Sequence, residues 1–384
     1  MLSRGAKTLG ALWFALVLVL LTMTFAARAM EITDITGRTV TLDGPAKKVL
    51  LGEGRFLVPL SLLMPEDPVS PVAGMMNEFQ RFDPMTYERY LAAFPALAEV
   101  PVFGATTEAS VSVEKALMLA PDVAIFGTGG HGPSEQSQVL LSALEAAGIP
   151  VVFIDFRNAP LADTADSMRI LGKVIGREDK AEAFAQAYEA DIAKVTDAIA
   201  AASPQRPSVL LEARVGLGDA CCFSIAKGMF ADMIEAAGGD NIASDLLPGV
   251  AGTVNLEYVL ANQPDIYIGT AIGALAGDMA SPGRIVLGPG VSEEEARDSL
   301  VEALDRPGVS SFNAVNNGHA YGIWHHFYNS PFNAYAFQEM AVWLHPELFA
   351  DLDPQATLDR LLSEVGPVDL SGTYAIGVPA ETAP

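Results

Sequence analysis

Two stretches of the sequence decide the fold: Val111-Ser-Val-Glu-Lys-Ala-Leu-Met-Leu-Ala-Pro-Asp-Val-Ala-Ile125 and Val254-Asn-Leu-Glu-Tyr-Val-Leu-Ala-Asn-Gln-Pro-Asp-Ile-Tyr-Ile268. They align without a gap, and Val, Glu, Leu, Pro, Asp and Ile occur at the same places in both. Each stretch predicts a polar helix cap, a short amphipathic helix, a Pro-Asp stop and a buried strand. This order is half of a βαβ unit, so the chain contains two copies of one α/β plan.

Further strands extend both copies of this plan. The run Val49–Arg55 resembles Val209–Arg214, and each is an apolar strand that ends in a Glu-small-Arg sequence. A third apolar strand follows each copy, at residues 150–155 and 319–324. Strands that alternate with helices predict a parallel sheet in each copy.

A helical segment separates the two copies. Residues 161–202 contain no proline and only two glycines, and their apolar residues recur at helical spacing, which predicts one long helix or two helices with a break near Gly176. We therefore predict an α/β protein with two parallel-sheet lobes of repeated βα units, joined by a long rigid helix, with a ligand cleft between the lobes. The predicted boundaries are an N-terminal lobe at 30–158, a connecting helix at 159–203 and a C-terminal lobe at 204–384.

Composition excludes several classes of protein. The chain has 384 residues, of which 50% are hydrophobic, and its formal net charge is −24. That apolar content excludes a disordered chain, and the length exceeds what a single hydrophobic core usually serves. Nucleic acid is not an expected partner, because its binding depends on counterion release by Lys and Arg.

The first 29 residues have the pattern of a secretory signal peptide. A basic start precedes an uncharged apolar run at 9–25, and Ala27-Arg28-Ala29 offers a small-x-small cleavage site. The alternative is an uncleaved membrane anchor, because the uncharged run at 8–27 is 20 residues long. We expect cleavage after Ala29, which removes three basic and no acidic residues and leaves a soluble periplasmic protein with a net charge of −27.

Several segments resemble the iron(III)-siderophore, haem and cobalamin group of periplasmic substrate-binding proteins, which serve ATP-driven importers. The segments that carry the resemblance are Asp34–Leu42, the two Glu…Pro-Asp units, Ala236–Ala243 and Tyr328–Asn333. The resemblance covers nearly all of residues 31–365. It implies two lobes bridged by a long helix, a small hinge motion, and a ferric siderophore, haem or corrinoid in the cleft.

The resemblance also implies a function and a partner. We expect a monomer that captures a ferric siderophore-type iron complex and delivers it to an ABC permease dimer in the inner membrane, with no cofactor and no catalysis. Haem, cobalamin or a metal ion are alternative cargoes. A secreted metal-dependent enzyme that uses His131, His325 and His326 is the alternative from another class, but the sequence contains neither a GxSxG nor an HExxH motif.

Two arginines are the first candidates for ligand binding. In open α/β sheets the ligand lies beyond the carboxyl ends of the strands, which places Arg55 and Arg214 on opposite walls of the cleft. Two guanidinium groups that face one gap suit an anionic ligand, such as a ferric complex that carries carboxylates or catecholates. The alternative is that each arginine only pairs with its neighbour, Glu53 or Glu212.

Other loops after strands add aromatic and histidine candidates. His131, in the loop 128–133, either contacts the ligand or is simply solvated. A dense aromatic group that suits a large flat ligand follows the last strand, or else packs against the next helix: Trp324, His325, His326 and Tyr328. In an extended chain the two adjacent histidines point to opposite sides, and no third ligand stands at a metal-like spacing, so we predict no dedicated metal site.

The only two cysteines, Cys221 and Cys222, are adjacent and follow Arg214. Export to an oxidising compartment favours a vicinal disulfide at the ligand wall, and two buried thiols are the alternative.

Two acidic residues occupy the same place in the two repeats. Glu114 and Glu257 each stand in the first turn of a predicted helix, where a carboxylate complements the helix dipole. In the resembling family an exposed Glu on each lobe docks onto arginines of the two permease subunits. The resemblance therefore implies that Glu114 and Glu257 are permease-docking residues.

Overall fold

The computed structural model describes residues 29–217, 221–272 and 283–378, so the predicted signal peptide lies outside the described residues except for Ala29. The strands of the first half are β1 (Met30–Thr33), β2 (Thr39–Leu42), β3 (Val49–Leu51), β4 (Val72–Met76), β5 (Val102–Gly104), β6 (Val123–Gly127) and β7 (Val151–Ile154). Its helices are α1 (Leu57–Leu63), α2 (Glu78–Phe82), α3 (Pro84–Ala93), α4 (Val113–Met118) and α5 (Gln138–Ala146). The strands β5-β4-β3-β6-β7, in that order, form a parallel sheet, and β1 and β2 form a separate antiparallel hairpin.

The connection between the halves consists of two helices, α6 (Pro160–Ile175) and α7 (Glu178–Ala202), so a single long helix is wrong and the break at Gly176 is correct. Gly176 ends α6 with φ +69°, a left-handed conformation that glycine adopts without a steric penalty. The two helices then pack side by side as a hairpin. Gly172 permits this close approach, because a Cβ atom at its position would lie only 2.3 Å from the Cβ of Ala181. Helix α6 packs against β1 and β7 of the first half, and both α6 and α7 contact helices of the second half.

The second half repeats the plan of the first. Its strands are β8 (Ser208–Glu212), β9 (Phe223–Ile225), β10 (Asp240–Asn241), β11 (Ala251–Thr253), β12 (Ile266–Ala271), β13 (Gly288–Pro289), β14 (Ala320–Trp324), β15 (Gly372–Thr373) and β16 (Ala375–Gly377). Its helices are α8 (Met229–Ala236), α9 (Ile242–Leu246), α10 (Leu256–Asn262), α11 (Glu293–Leu304), α12 (Asn313–Asn316), α13 (Asn333–Leu344) and α14 (Pro354–Ser363). The main sheet has the order β10-β8-β12-β14-β16, and all pairs are parallel except β14 with β16.

The sequence repeat is confirmed in three dimensions. Strands β3, β6 and β7 are neighbours in the first sheet, and their counterparts β8, β12 and β14 are neighbours in the second. Both repeat helices have a side-chain cap, because Ser112 accepts the backbone N–H of Lys115 and Asn255 accepts that of Glu257. Every strand of these two triplets is almost wholly buried, as expected of parallel strands covered by helices on both faces.

The two sheets belong to one packed molecule. The hydroxyl of Tyr188 on α7 donates to Asn333 Oδ1 on α13 at 2.7 Å, and Asn333 in turn donates to Thr164 on α6. Among the described residues, no helix is long and apolar enough to cross a membrane. The division into lobes at 30–158, 159–203 and 204–384 stays a prediction.

Candidate ligand site between the two sheets

The loops after the central strands of both sheets meet around one tyrosine, Tyr328. It lies in a turn of 3₁₀-helix, His325–Asn329, that directly follows β14. Arg55 Nη1 donates to Tyr328 Oη at 3.0 Å, and His131 Nε2 lies 3.0 Å from the same oxygen. The structure therefore brings Arg55, His131 and Tyr328 together through direct contacts across the two halves.

A third arginine, Arg157, completes the first half's contribution. It stands three residues after β7, and its guanidinium carbon lies 5.1 Å from the centre of the Tyr328 ring, compared with 5.5 Å for Arg55. Its Nη1 is buried without a hydrogen-bond partner among the described residues. Sequence reasoning missed Arg157, although its position after a parallel strand is the same signal that selected Arg55.

Arg55 is a buried residue, with only 5% of its side chain exposed. Its Nε lies 3.9 Å from a carboxylate oxygen of Glu53 and 4.0 Å from one of Glu78. Burial alone would lower the pKa of Arg55, but Tyr328, Glu53 and Glu78 outweigh it and raise the pKa above its usual range. The predicted pairing with Glu53 is present.

Arg214 differs from Arg55 in every respect. It is exposed, its φ is +57°, and its backbone N–H donates to Thr270 Oγ1 at 2.8 Å. Its guanidinium lies 4.9 Å from the centre of the Phe223 ring. The predicted alternative of a pair with Glu212 is wrong, because Glu212 binds Arg306 through two hydrogen bonds of 2.9 and 2.7 Å.

The three histidines of the site are neutral at neutral pH. Burial, followed by the charges of Arg55, Arg157 and Arg214, lowers the pKa of His131 to about 3. Burial also places the pKa of His325 and that of His326 well below the usual range, and neighbouring arginines add to the effect. The arginines are therefore the only positive side chains of the cluster.

His325 and His326 lie in a 3₁₀ turn and not in an extended chain, so the prediction that they point to opposite sides started from the wrong backbone conformation. Within the 3₁₀ turn their ring centres are 5.8 Å apart. His325 Nδ1 is 2.8 Å from Thr270 Oγ1, whereas neither ring nitrogen of His326 has a partner among the described residues. His326 stacks edge-on against Trp324, which is 5% exposed and packs on Phe327. His325 and His326 therefore both line the buried floor of the site.

The two cysteines form a vicinal disulfide, the first of the two predicted alternatives. Cys222 is buried and Cys221 half-buried, next to Phe223 and the wall that carries Arg214. Glu212 and the two sulfurs are the only group of three His, Cys, Asp or Glu residues at metal-like spacing among the described residues. They do not form a metal site, because the sulfurs are bonded to each other and Glu212 is paired with Arg306.

Glu114 and Glu257 lie at equivalent places, in the first turns of α4 and α10. Both are exposed, and neither makes an ion pair within the described residues.

Sequence reasoning also missed the polar groups beneath Tyr328. Asn329 Nδ2 donates to Glu53 Oε2 at 2.7 Å, which is a further contact between the two halves. The backbone N–H of Arg55 donates to Glu78 Oε1 at 3.0 Å. No local sequence pattern signals either contact, because the partners are 276 and 23 residues apart.

Comparison with known proteins agrees with this architecture. The sequence signature of a family described as periplasmic binding protein matches residues 78–324. A TroA-like periplasmic binding protein, FepB from Veillonella parvula, is 28% identical, and its structure aligns over 91% of this chain and 100% of that chain with a TM-score of 0.80. No curated protein sequence matches.

Two more distant structures share the fold. MolA of Haemophilus influenzae, bound to molybdate, is 17% identical, with 89% of this chain and 99% of that chain covered and a TM-score of 0.64. CeuE of Helicobacter pylori, in a nickel–histidine complex, is 15% identical, with 90% and 97% covered and a TM-score of 0.59. The family signature spans more than half of the sequence, so the chain belongs to the periplasmic binding protein family.

Proposed function

We propose that this binding protein captures an anionic iron(III)–siderophore complex between its two sheets and delivers it to the permease dimer of an ABC importer. Membership of the family makes it a solute-binding protein of an ABC transporter, and the proposal adds the cargo. The observation that carries it is the pair Arg55 and Arg157 against the Tyr328 ring, with the charge of Arg214 acting on the neighbouring His131, in a protein whose net charge is −24. Guanidinium groups bind carboxylate and catecholate oxygens through paired hydrogen bonds.

The residues of the cluster divide into an accessible and a buried set. Arg214, His131 and Arg157 offer at least part of their surface to a ligand, and Cys221 and Phe223 continue the wall beside Arg214. Arg55, Trp324, His325, His326 and Tyr328 form the floor, and Cys222 lies behind the wall. We propose that the first set and Tyr328 contact the ligand. The other residues determine the shape and the charge of the site.

Other cargoes remain outcomes of the test. Structural neighbours include a haem-binding protein from Pseudomonas aeruginosa and a protein of an Fe3+-hydroxamate transport system from Saccharomonospora viridis. An oxyanion such as molybdate would also suit guanidinium groups, whereas neutral cobalamin or a bare cation would not use their charge. Binding requires no catalysis, and we propose none.

A fluorescence titration separates these cargoes. Cleavage after Ala29 would leave only Trp324 and Trp343, and Trp343→Phe isolates the tryptophan of the site floor. A ferric tris-catecholate complex should quench Trp324, while cyanocobalamin, haemin, molybdate and nickel–histidine should not. Saturable quenching by one of the other four, and not by the ferric complex, would replace the proposed cargo. Turnover of a bound compound that stops with a chelator would favour an enzyme instead.

The proposed partner is the permease, reached by Glu114 and Glu257 on a periplasmic monomer. The signal peptide would direct export and be cleaved after Ala29, which N-terminal sequencing of the periplasmic fraction tests directly. A mature protein that begins before Ala29 or stays with the membrane would contradict it.

A further inference from the structure

A buried cluster of two carboxylates and one guanidinium lies directly behind Tyr328. Glu53 is 2% exposed and Glu78 is 0% exposed, and both approach the same Nε of Arg55 at 3.9 and 4.0 Å. One oxygen of Glu78 accepts the backbone N–H of Arg55, whereas the other has no partner among the described residues. The cluster thus contains two acids for one adjacent base, and one acid oxygen lacks a donor.

Several charged or titratable groups face this pair from the elements packed around it. They are Arg55 on the same turn, Asp83 after α2, His131 after β6, Arg157 after β7, and His326 and Tyr328 from the second half. The histidines are neutral, so Arg55 and Arg157 are the cations that balance Glu53, Glu78 and Asp83. Two carboxyl groups that lie close together in a site shielded from water cannot both ionise without a large cost in free energy.

Burial supports the same conclusion for each acid. It raises the pKa of Glu78 to about 7, an effect that the charge of Glu53 increases and that of Arg55 reduces. Burial likewise raises the pKa of Glu53, against the opposing effects of Arg55 and Arg157. Two carboxyls coupled in this way titrate as a pair, and one of them changes protonation near neutral pH.

We propose that Glu53 and Glu78 form a proton-accepting pair behind the ligand site, so that capture of an anionic ligand takes up one proton from solution. A negative ligand beside Arg157 and Tyr328 competes for the cations that hold the pair ionised. One carboxylate then accepts a proton from the buffer and forms an O–H bond, and the charge of the site is restored. The inference rests on the proposed function only in requiring a ligand of negative charge.

The pair makes ligand affinity depend on pH in a defined direction. Below about pH 6 one carboxyl is already protonated in the free protein, so affinity is flat. Above pH 7 the proton must be taken up on binding, so affinity falls by up to about tenfold per pH unit, the slope for one proton. A purely structural role for Glu53 and Glu78 would leave no such slope.

Calorimetry in buffers of different ionisation enthalpy counts the proton. Binding of preformed ferric tris-catecholate at pH 7.5 should take up roughly 0.3 to 0.8 proton, because about a quarter of a group with a pKa of about 7 is already protonated at that pH. Glu78→Gln should bind with no uptake and with an affinity that no longer falls above pH 7. Zero uptake by the unaltered protein, or equal uptake by Glu78→Gln, would overturn the inference.

Glu339→Gln is the matched control. Burial also raises the pKa of Glu339 to about 7, but this residue lies on α13 and its partner is Tyr335, outside the cluster. The control should take up the same proton as the unaltered protein. Loss of proton uptake in Glu339→Gln would show that Glu339, and not the pair Glu53 and Glu78, takes up the proton, and would contradict the inference.

Infrared spectroscopy tests the pair without any ligand. Because Glu339 also titrates near neutral pH, the measurement uses Glu339→Gln as the starting protein: a carboxylic C=O band that titrates near pH 7 should be present in Glu339→Gln and should be lost when Glu78→Gln is added to it. If Glu78→Gln does not fold, Glu53→Gln serves in its place, because the pair shares the proton. Absence of the band overturns the inference, whereas its presence without any binding of the ferric complex supports the pair and refutes the proposed cargo.

Discussion

The same Glu-small-Arg sequence stands at the ends of β3 and β8, yet the two copies have opposite environments. In the first half Arg55 is buried between Glu53 and Glu78 and donates to Tyr328. In the second half the glutamate is the buried partner, held by Arg306, and Arg214 is exposed at the wall. The repeat therefore fixes where the arginines stand, and packing partners from distant segments decide whether each is structural or available to a ligand.

Glu114 and Glu257, which we propose as docking residues, are the reverse case, because they occupy equivalent places and both are exposed. The largest expected effect tests this symmetry. Glu114→Ala with Glu257→Ala should abolish uptake in cells, since both contacts with the permease are lost, while ligand affinity in solution stays unchanged. Normal uptake by the double variant would refute the docking role, and Glu293→Ala, on exposed α11, is the control that should transport normally.

The second test removes the buried acid of the second half. Glu212→Ala leaves Arg306 and the Tyr267 hydroxyl without their partner, and loss of one member of a buried ion pair costs about 3 kcal/mol of unfolding free energy. Urea unfolding measures the change. Glu293→Ala breaks the exposed pair with Arg297 and should cost less than about 1 kcal/mol. Equal costs for the two variants would contradict the structural role of Glu212.

The third test separates the two arginines. Arg214→Ala should weaken binding of a ferric tris-catecholate roughly 10- to 100-fold, the value of one charge-assisted hydrogen bond, with no change in unfolding free energy. Arg55→Ala should lower both affinity and stability, because it leaves Glu53 and Glu78 without their counterion. Fluorescence titration and urea unfolding give the two quantities, and unchanged affinity in Arg214→Ala would remove it from the site.

The fourth and smallest effect concerns the buried acid of α13. The pKa of Glu339 in the folded protein is about 7, above the ordinary 4.5, so the folded state holds its proton more tightly between those values. Folding stability of the unaltered protein therefore falls as pH rises through this window. Relative to it, Glu339→Gln should gain up to about 1.4 kcal/mol for each pH unit between pH 4.5 and 7. A constant difference across that range would contradict the raised pKa.

Sequence predicted the fold well because the repeated helix caps, Pro-Asp stops and apolar strands are local patterns. It also placed Arg55, Arg214, His131 and Tyr328 at one site, since loops after parallel strands meet at one edge. It could not predict that Arg306 takes Glu212 or that Asn329 binds Glu53, because these contacts join residues 94 and 276 positions apart. Arg55 is likewise buried by contacts with distant residues such as Tyr328, and no local sequence pattern predicts that burial.

The most direct test of the account compares ligands that differ in charge. Dissociation constants for a ferric tris-catecholate of net charge −3 and for an uncharged ferric trihydroxamate are measured by fluorescence titration on the unaltered protein and on Arg214→Ala. The account predicts tighter binding of the anionic complex by at least about tenfold, and a loss of that preference in the variant. Equal or tighter binding of the uncharged complex, unaffected by Arg214→Ala, would contradict the claim that the arginine cluster selects the cargo.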